Sequence, residues 1–391
     1  MGALDGIKVI EAGLLIQGPQ AAATLGAWGA DVVKVELPGF GDQSRWLPLS
    51  PTDSRSAYFA ACNRGKRSVT IDLHRPEGQE IFLRLAESVD VVITNFKPGT
   101  MEAWGLGYDA LSARNPGLVY AAGSTFGARG PDAAREGADL SGQAAGGVIS
   151  TTGVTGGEPT PIGAAIADHI AAQNLVGGVL AALLARARTG VGQAIETSLL
   201  GGQLWAQASE YTAFLLSGSQ PGPANRGNSM IPGLYGIFPT SDGWIAVVGV
   251  VGPAKARFFE VIGQPQLSAR FDQLYYWEPE KAELFPLLDA AFAARTTGDW
   301  CATLRQAGIR HAPVNTYADV VDDPGVWANG YLAELDGEET GRVVASPVHF
   351  SATPARTGTA PPELGQHTEE VLLEAGFTWE DITRLSDQGA I

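Results

Sequence analysis

The sequence predicts an α/β fold, a parallel sheet with helices on both faces, joined to a smaller α+β domain. Strand and helix patterns alternate through the first half of the chain, as parallel sheets require. Fifty of the 391 residues are glycine, which suits many tight strand-to-helix turns better than a helical bundle. Past residue 227 the texture changes to a hairpin pattern and short helices.

In chain order, residues 7–11 read as the first strand. A loop through Gln17, Gly18 and Pro19 follows, and Pro19 suits a helix start because its missing N–H costs nothing there. The Ala-rich stretch 20–28 is a helix, Gly29 ends it, and 31–35 is the second strand. Pro76 opens another helix, with Ile81, Phe82 and Leu85 on one face. Residues 89–93 and 118–123 are further strands. A long apolar helix covers 169–187 and stops near Thr189–Gly190, and a second covers 198–216. The large domain is thus expected over 1–216, with a Gly/Pro/Ser-rich linker at 217–227.

The smaller domain is expected over 228–322. Strand patterns at 235–239 and 244–248 flank Thr240–Ser241–Asp242–Gly243, a hairpin signal, and helices follow around 254–262, 282–294 and 299–307. The return segment 323–391 ends in two short helical pieces separated by Gly376, expected to pack back on the large domain.

Composition narrows the function classes. With 45% hydrophobic and 17% charged residues the chain can build true cores. A net charge of −16 disfavours nucleic-acid binding. Cys62 and Cys301 form neither a metal spacing nor a disulfide framework, so a reducing, cytoplasmic setting and no metal are expected. No secretory signal is visible. The most apolar helical stretch, 171–185, contains Gln173 and Asn174 and reads as a buried helix too short for a membrane. After the first strand comes Glu11–Ala12–Gly13–Leu14–Leu15–Ile16–Gln17–Gly18, which is not the Gly-x-Gly-x-x-Gly turn of dinucleotide-dependent oxidoreductases.

Asp168 follows the small-residue run Gly163–Ala164–Ala165–Ile166–Ala167, just ahead of the long helix. Two roles fit. It is a helix N-cap, or a nucleophile at a helix N-terminus, whose free N–H groups and dipole favour developing negative charge.

Several ordered segments together resemble the class III CoA-transferases, the family of formyl-CoA transferase, carnitine CoA-transferase and α-methylacyl-CoA racemase. They begin with Leu4–Asp5–Gly6–Ile7–Lys8–Val9, Gly18–Pro19 and the run from Leu25 to Glu36. Gly41–Asp42 with Arg45, Asn63–Arg64–Gly65–Lys66–Arg67–Ser68 and Asn95–Phe96–Lys97–Pro98–Gly99 follow. Leu106–Gly107–Tyr108, Asn115–Pro116, Gly146–Gly147, Thr189–Gly190–Val191–Gly192–Gln193 and Leu364–Gly365–Gln366–His367–Thr368 complete the set.

The resemblance implies a Rossmann-like large domain and two chains interlocked as a homodimer. It implies that Asp168 is the nucleophile, attacking an acyl-CoA thioester and passing through an aspartyl-CoA intermediate to a small carboxylic acid acceptor. CoA enters as part of the substrate, with no tightly bound cofactor. On matched positions, Ile16 and Gln17 line the first loop and Ile71, Asp72, Leu73 and His74 border the adenine. Asn95, Phe96 and Lys97 meet the pantetheine and phosphates, and Arg135 lies near a further contact segment. The basic group Arg64, Lys66 and Arg67 is either a phosphate-facing patch or a structural ion-pair set.

The sequence departs from the pattern in places. Leu37 and Ala103 stand where the formyl-CoA transferase branch carries arginines, which puts its CoA pose in doubt. That branch's shielding glycine loop is not recognisable, and the stretch from Arg226–Gly227–Asn228 to Pro232–Gly233 is its candidate replacement. The family's racemases carry a Gly-His-Asp segment. Gly137–Ala138–Asp139 lacks the histidine, which ranks racemisation behind transfer, with His169 as the remaining imidazole nearby.

Overall fold

Six strands form the principal sheet: β1 (Lys8–Ala12), β2 (Asp31–Glu36), β3 (Arg67–Thr70), β4 (Val91–Thr94), β5 (Val119–Ser124) and β6 (Ala194–Ser198). The structure is a computed structural model describing residues 1–252, 254–273, 275–335 and 341–391. All neighbouring strands pair parallel, in the order β3-β2-β1-β4-β5-β6. The chain winds outward from β1 to β3, then returns to begin again at β4 on the other side of β1. Loops leaving β1 and β4 therefore part to opposite faces, and a crevice opens at their carboxyl ends.

The two faces of the sheet follow from the two-residue period of its strands. Val9, Val32, Val91, Ile93, Val119 and Ala121 pack on one face, against helices Gln17–Ala27 and Ile166–Thr189. Ile10, Val33, Val35, Val92 and Tyr120 pack on the other, against Pro76–Ala86, Tyr108–Arg114 and the C-terminal helices Thr368–Glu374 and Trp379–Asp387.

Strands β3 and β6 lie beyond the four expected from sequence. Both are sheet edges; Arg67–Ser68–Val69–Thr70 has one aliphatic residue, and the β6 side chains are half-buried or exposed. An edge needs little apolar signal. The long helix corrects a second expectation. It runs 24 residues, Ile166–Thr189, and is long and apolar enough to cross a membrane by length and composition. Gly177 and Gly178 lie inside it without ending it, and Gly190 closes it at φ 76°. Ala172, Leu175, Val176 and Val179 are buried against the sheet.

The chain forms two compact units. One comprises Met1–Gly146, Gly163–Ala206 and Pro324–Ile391, and the other Gly147–Ile162 and Gln207–Asp323. The helix expected over 198–216 is two helices, Leu199–Ala206 and Ala208–Ser217, one in each unit. The second unit carries an antiparallel sheet of β7 (Leu234–Pro239), β8 (Trp244–Val250) and β9 (His311–Pro313). Thr240 N donates to Gly243 O at 2.8 Å in the hairpin, and Asp242 Oδ1 accepts from Thr297 N at 2.7 Å, tying the turn to helix Thr297–Gln306. Phe238, Phe258, Phe292 and Trp300 fill its core.

Beneath the crevice lies a buried ion cluster. Lys34 Nζ meets Glu11 Oε1 at 3.0 Å and Asp42 Oδ2 at 2.8 Å, and Lys66 Nζ meets Glu11 Oε2 at 2.9 Å. Lys66 also donates to Asn63 Oδ1 and Pro19 O. Beside them Arg45 grips Glu36 through two nitrogens, and Ser68 Oγ donates to the same carboxylate. Burial opposes each charge, yet Glu11 and Asp42 hold the Lys34 ammonium above the usual lysine range. Against the same burial, Lys34 holds Asp42 below the usual carboxylate range, and Arg45 with Lys34 does so for Glu36. The basic group Arg64, Lys66 and Arg67 is accordingly structural. Lys66 belongs to the cluster, Arg67 binds Asp31, Glu370 and Glu374, and Arg64 donates to Val344 O.

Lys34→Met would leave Glu11 and Asp42 buried with less compensation. The expected cost is about 3–5 kcal/mol of unfolding free energy, read by urea denaturation, because a broken buried pair strands a charge. Arg55→Ala, which breaks the exposed pair with Asp53, should leave the urea midpoint unmoved.

Candidate active site

A pocket of about 330 Å³ opens at the carboxyl ends of β1, β4 and β5, where the switch in strand order predicts a ligand. The loop after β1 gives it Leu14, Leu15 and Gln17, the loop after β4 gives Asn95 to Pro98, and Ser124 and Thr125 close β5. Arg135 to Ala138 and Asp168 form the remaining wall, with Leu199 and Gln43.

The β1 loop is held in an uncommon shape. Leu15 has φ 62°, in the left-handed region that branched and bulky residues avoid. Its N–H donates to Asp42 Oδ1 at 3.0 Å, and Lys34 Nζ donates to Gly13 O at 3.1 Å. Asn95 brackets Leu14, accepting from its N–H and donating to its carbonyl, both at 2.8 Å. Gly13 permits this approach, since a Cβ there would lie 2.7 Å from Asn95 Oδ1. The Asn95 amide is thus spent on the loop. Gln17, buried at 3% exposure, lines the pocket, and its Nε2 makes a long contact of 3.5 Å to Ser124 O.

Asp168 sits in the first turn of helix Ile166–Thr189, three residues past the cap position. The cap position is Ala165, which has no side chain to bond. Asp139 does that work from another element: its Oδ1 accepts from Ala167 N at 2.8 Å and Asp168 N at 3.3 Å. Its Oδ2 accepts from Gln143 Nε2 at 2.7 Å. The N-cap reading of Asp168 is therefore corrected, because Asp139 occupies the helix N–H groups. For the same reason those groups are not free to stabilise an oxyanion. Among the described residues no donor reaches the Asp168 carboxylate. Burial, and then the neighbouring Asp139 charge, push it up to about 7.

Six of the eleven sequence-named residues meet in this pocket: Gln17, Asn95, Phe96, Lys97, Arg135 and Asp168. The other five lie outside its lining. Ile16 is buried at the helix start, and Ile71 and Leu73 are side chains of the core under the sheet. Asp72 accepts from His74 N at 3.0 Å and pairs with the His74 ring at 2.9 Å. That ring stands edge-on to Trp104 at 5.0 Å, and Phe96 meets Trp104 at 5.4 Å, an aromatic group at the pocket's margin that sequence reading did not name. Leu37 and Ala103 are exposed without charge, so the pocket's cations are Lys97, loosely paired with Glu136 at 3.8 Å, and Arg135, 4.4 Å over the Phe126 ring. Ala138 lines the pocket where a racemase histidine would stand, and His169 does not line it. Sequence reading also missed Asp139. Its signal was the Gly137–Ala138–Asp139 segment itself, in which only the lost histidine drew notice. Among the described residues no group of three or more His, Cys, Asp or Glu is placed to hold a metal ion.

An acid with a raised folded-state value favours folding fully at low pH and loses that contribution as pH rises toward it. Asp168 should therefore destabilise the fold between pH about 4 and about 7 and above. Asp168→Asn is expected to melt higher than the native chain at pH 8, with the gain shrinking toward zero at pH 4, in thermal scans at both values.

Residues 4–368 match the description CoA-transferase family III. An acyl-CoA transferase of Fusarium pseudograminearum is 34% identical, over 100% of this chain and 88% of its own. The succinyl-CoA–D-citramalate CoA-transferase of Chloroflexus aurantiacus is 33% identical, over 99% of this chain and 98% of its own. A crystal structure of a CaiB/BaiF family protein from Brucella suis is 34% identical with a TM-score of 0.85, over 96% of this chain and 99% of that one.

Proposed function

This chain belongs to CoA-transferase family III and is an enzyme of that family, and from that premise we propose that Asp168 is the nucleophile that carries CoA from an acyl-CoA to a carboxylic acid. The supporting observation is the Asp168 carboxylate itself. It faces the switch-point pocket without a hydrogen-bond donor, in surroundings that make its charge unfavourable. An anion with few partners is a reactive nucleophile, and it loses little solvation on reacting.

The steps balance without water. An Asp168 oxygen attacks the thioester carbonyl carbon; a C–O bond forms, the C–S bond breaks, and CoA leaves as thiolate. The thiolate attacks the aspartyl carbonyl of the mixed anhydride, forming aspartyl-CoA and releasing the donor acid as carboxylate. The acceptor carboxylate then attacks aspartyl-CoA, and the returning thiolate takes the acceptor's acyl carbon and frees Asp168. Every step consumes one anion and produces one, so no proton must be supplied. The energy of the thioester is kept provided water stays out. Gln17 would orient the reacting carbonyl through the second N–H of its carboxamide, and Lys97 and Arg135 are the pocket cations that would meet the CoA phosphates. Ile16, Ile71, Asp72, Leu73 and His74 would act on CoA through backbone or margin contacts. CoA is thus a substrate component, with no tightly bound cofactor.

The domain division of 1–216, 217–227, 228–322 and 323–391 remains our reading of the polypeptide, alongside a homodimer in a cytoplasmic, reducing setting, away from membranes. Two unpaired cysteines suit that compartment, and exposed apolar residues on Leu199–Ala206 and Ala208–Ser217 suit burial by a second copy: Trp205 is 76% exposed and Leu216 84%. The printed name of the Chloroflexus relative makes succinyl-CoA the first donor to try, followed by a panel of mono- and dicarboxylic acceptors.

Asp168→Ala is expected to abolish CoA transfer while the protein stays folded, checked by acyl exchange assays and circular dichroism. Mass spectrometry after incubation with acyl-CoA should find CoA attached to a peptide containing Asp168. Transfer near the native rate in Asp168→Ala sinks the assignment. Deuterium exchange at the substrate α-carbon, with no adduct and no acid exchange, points to racemisation instead.

A further inference from the structure

The same helix start holds two carboxylates with opposite environments. Asp139 takes three donors, Ala167 N, Asp168 N and Gln143 Nε2, and lies on the positive end of the helix dipole. Gln143 is buried at 1% exposure and also donates to Ala164 O, so the support is rigid. Asp139 is thereby the donor-rich member of the pair. Asp168 has none of those donors, since its neighbour consumes them. A helix N-terminus that would ordinarily favour charge on Asp168 is neutralised before Asp168 can use it.

We propose that Asp139 is a positioning residue that keeps the free Asp168 carboxylate electrostatically unfavourable, so that acylation of Asp168 relieves a like-charge repulsion. In both covalent intermediates Asp168 is an acyl group without charge, and the repulsion is gone. When the free carboxylate is regenerated, the repulsion returns. Asp139 thus shifts the equilibrium of the enzyme toward its acylated forms and brings mixed anhydride and aspartyl-CoA closer in energy to the free enzyme. Uniform tightening of substrate binding would not do this, because it leaves the covalent steps untouched.

Other charged groups face Asp168 more weakly or are compensated. Lys97 and Glu136 pair with each other, Arg135 pairs with Asp132 at 3.5 Å, and His169 points from the same helix outside the pocket lining. Glu11, Lys34, Asp42 and Lys66 lie beneath the β1 loop as a self-compensated cluster. Gln17 and Gln43 are neutral. Burial is the larger influence on Asp168, and Asp139 is the carboxylate whose charge adds to it.

The inference rests on Asp168 being the nucleophile, and the test separates the two. Transfer rates are measured across pH 4.5–9 for the native enzyme, Asp139→Asn and Asp139→Glu, with the CoA-adduct fraction read by intact-mass spectrometry at fixed acyl-CoA and free acid. The native enzyme should lose activity as pH falls through about 7, the form with ionised Asp168 being the reactive one. Asp139→Asn should move that limb down by at least about one pH unit and cut the adduct fraction relative to free enzyme about tenfold, one unit of pKa being tenfold in equilibrium. Asp139→Glu, which keeps the charge, should restore the native limb. Should Asp139→Asn not fold, Asp139→Ser, neutral and a good acceptor for helix N–H groups, carries the same expectation. An Asp139→Asn enzyme slower at every pH with an unmoved limb and unchanged adduct fraction has lost only structure, and overturns this role while leaving Asp168 as nucleophile. A native enzyme that forms no adduct at Asp168 overturns both.

Discussion

The buried ion cluster under the first loop is the constraint on which the pocket end of the sheet depends. Lys34 rises from β2 into a site with no exposed surface and ties together Glu11 of β1, the Gly13 carbonyl and Asp42. Asp42 then holds the N–H of Leu15, whose left-handed backbone is a strain of about 1–3 kcal/mol that an unanchored loop would release. The low dielectric that strengthens these contacts also makes each one costly to lose. An apolar core of similar volume could match the stability, yet it would offer no directed acceptor for the Leu15 N–H. The cluster therefore fixes a loop shape more than it adds stability, and that shape sets where Leu14, Leu15 and Gln17 meet the pocket.

At the opposite wall the same logic runs through Asp139 and Asp168. Two carboxylates beside one helix start have been given divergent surroundings, one rich in donors and one without them. Donors taken by one group are withheld from the other. The long helix contributes by packing Ala172, Leu175 and Val179 against the sheet, so its first turn extends from a buried body. Fold and chemistry meet there, since the packing that stabilises the sheet also aims the carboxylate.

Legibility varied with the physics behind each signal. Central strands read clearly because both faces are buried and demand aliphatic runs, as in Val91–Val92–Ile93. Edge strands β3 and β6 escaped notice because one side of an edge meets no partner strand and tolerates Arg67, Glu196 and Ser198. The hairpin at Thr240–Gly243 was readable from turn chemistry between two strand patterns. Residues 71–74 were named for a ligand through family likeness, yet Ile71 and Leu73 alternate inward to the core, leaving Asp72 and His74 to face outward.

By itself the sequence determined the α/β class, the two units' broad texture, the family likeness and the identity of the helix-start carboxylate. Each of these is encoded in local periodicity, turn residues or ordered motifs along the chain. Only the tertiary structure decided that Asp139, 29 residues earlier, caps the helix in place of Asp168. It likewise decided that Lys66 serves Glu11 and not a phosphate. Charge partners, burial and competition for hydrogen-bond donors are properties of neighbours in space. No spacing along the chain announces which of two carboxylates will receive the donors and which will be left without them.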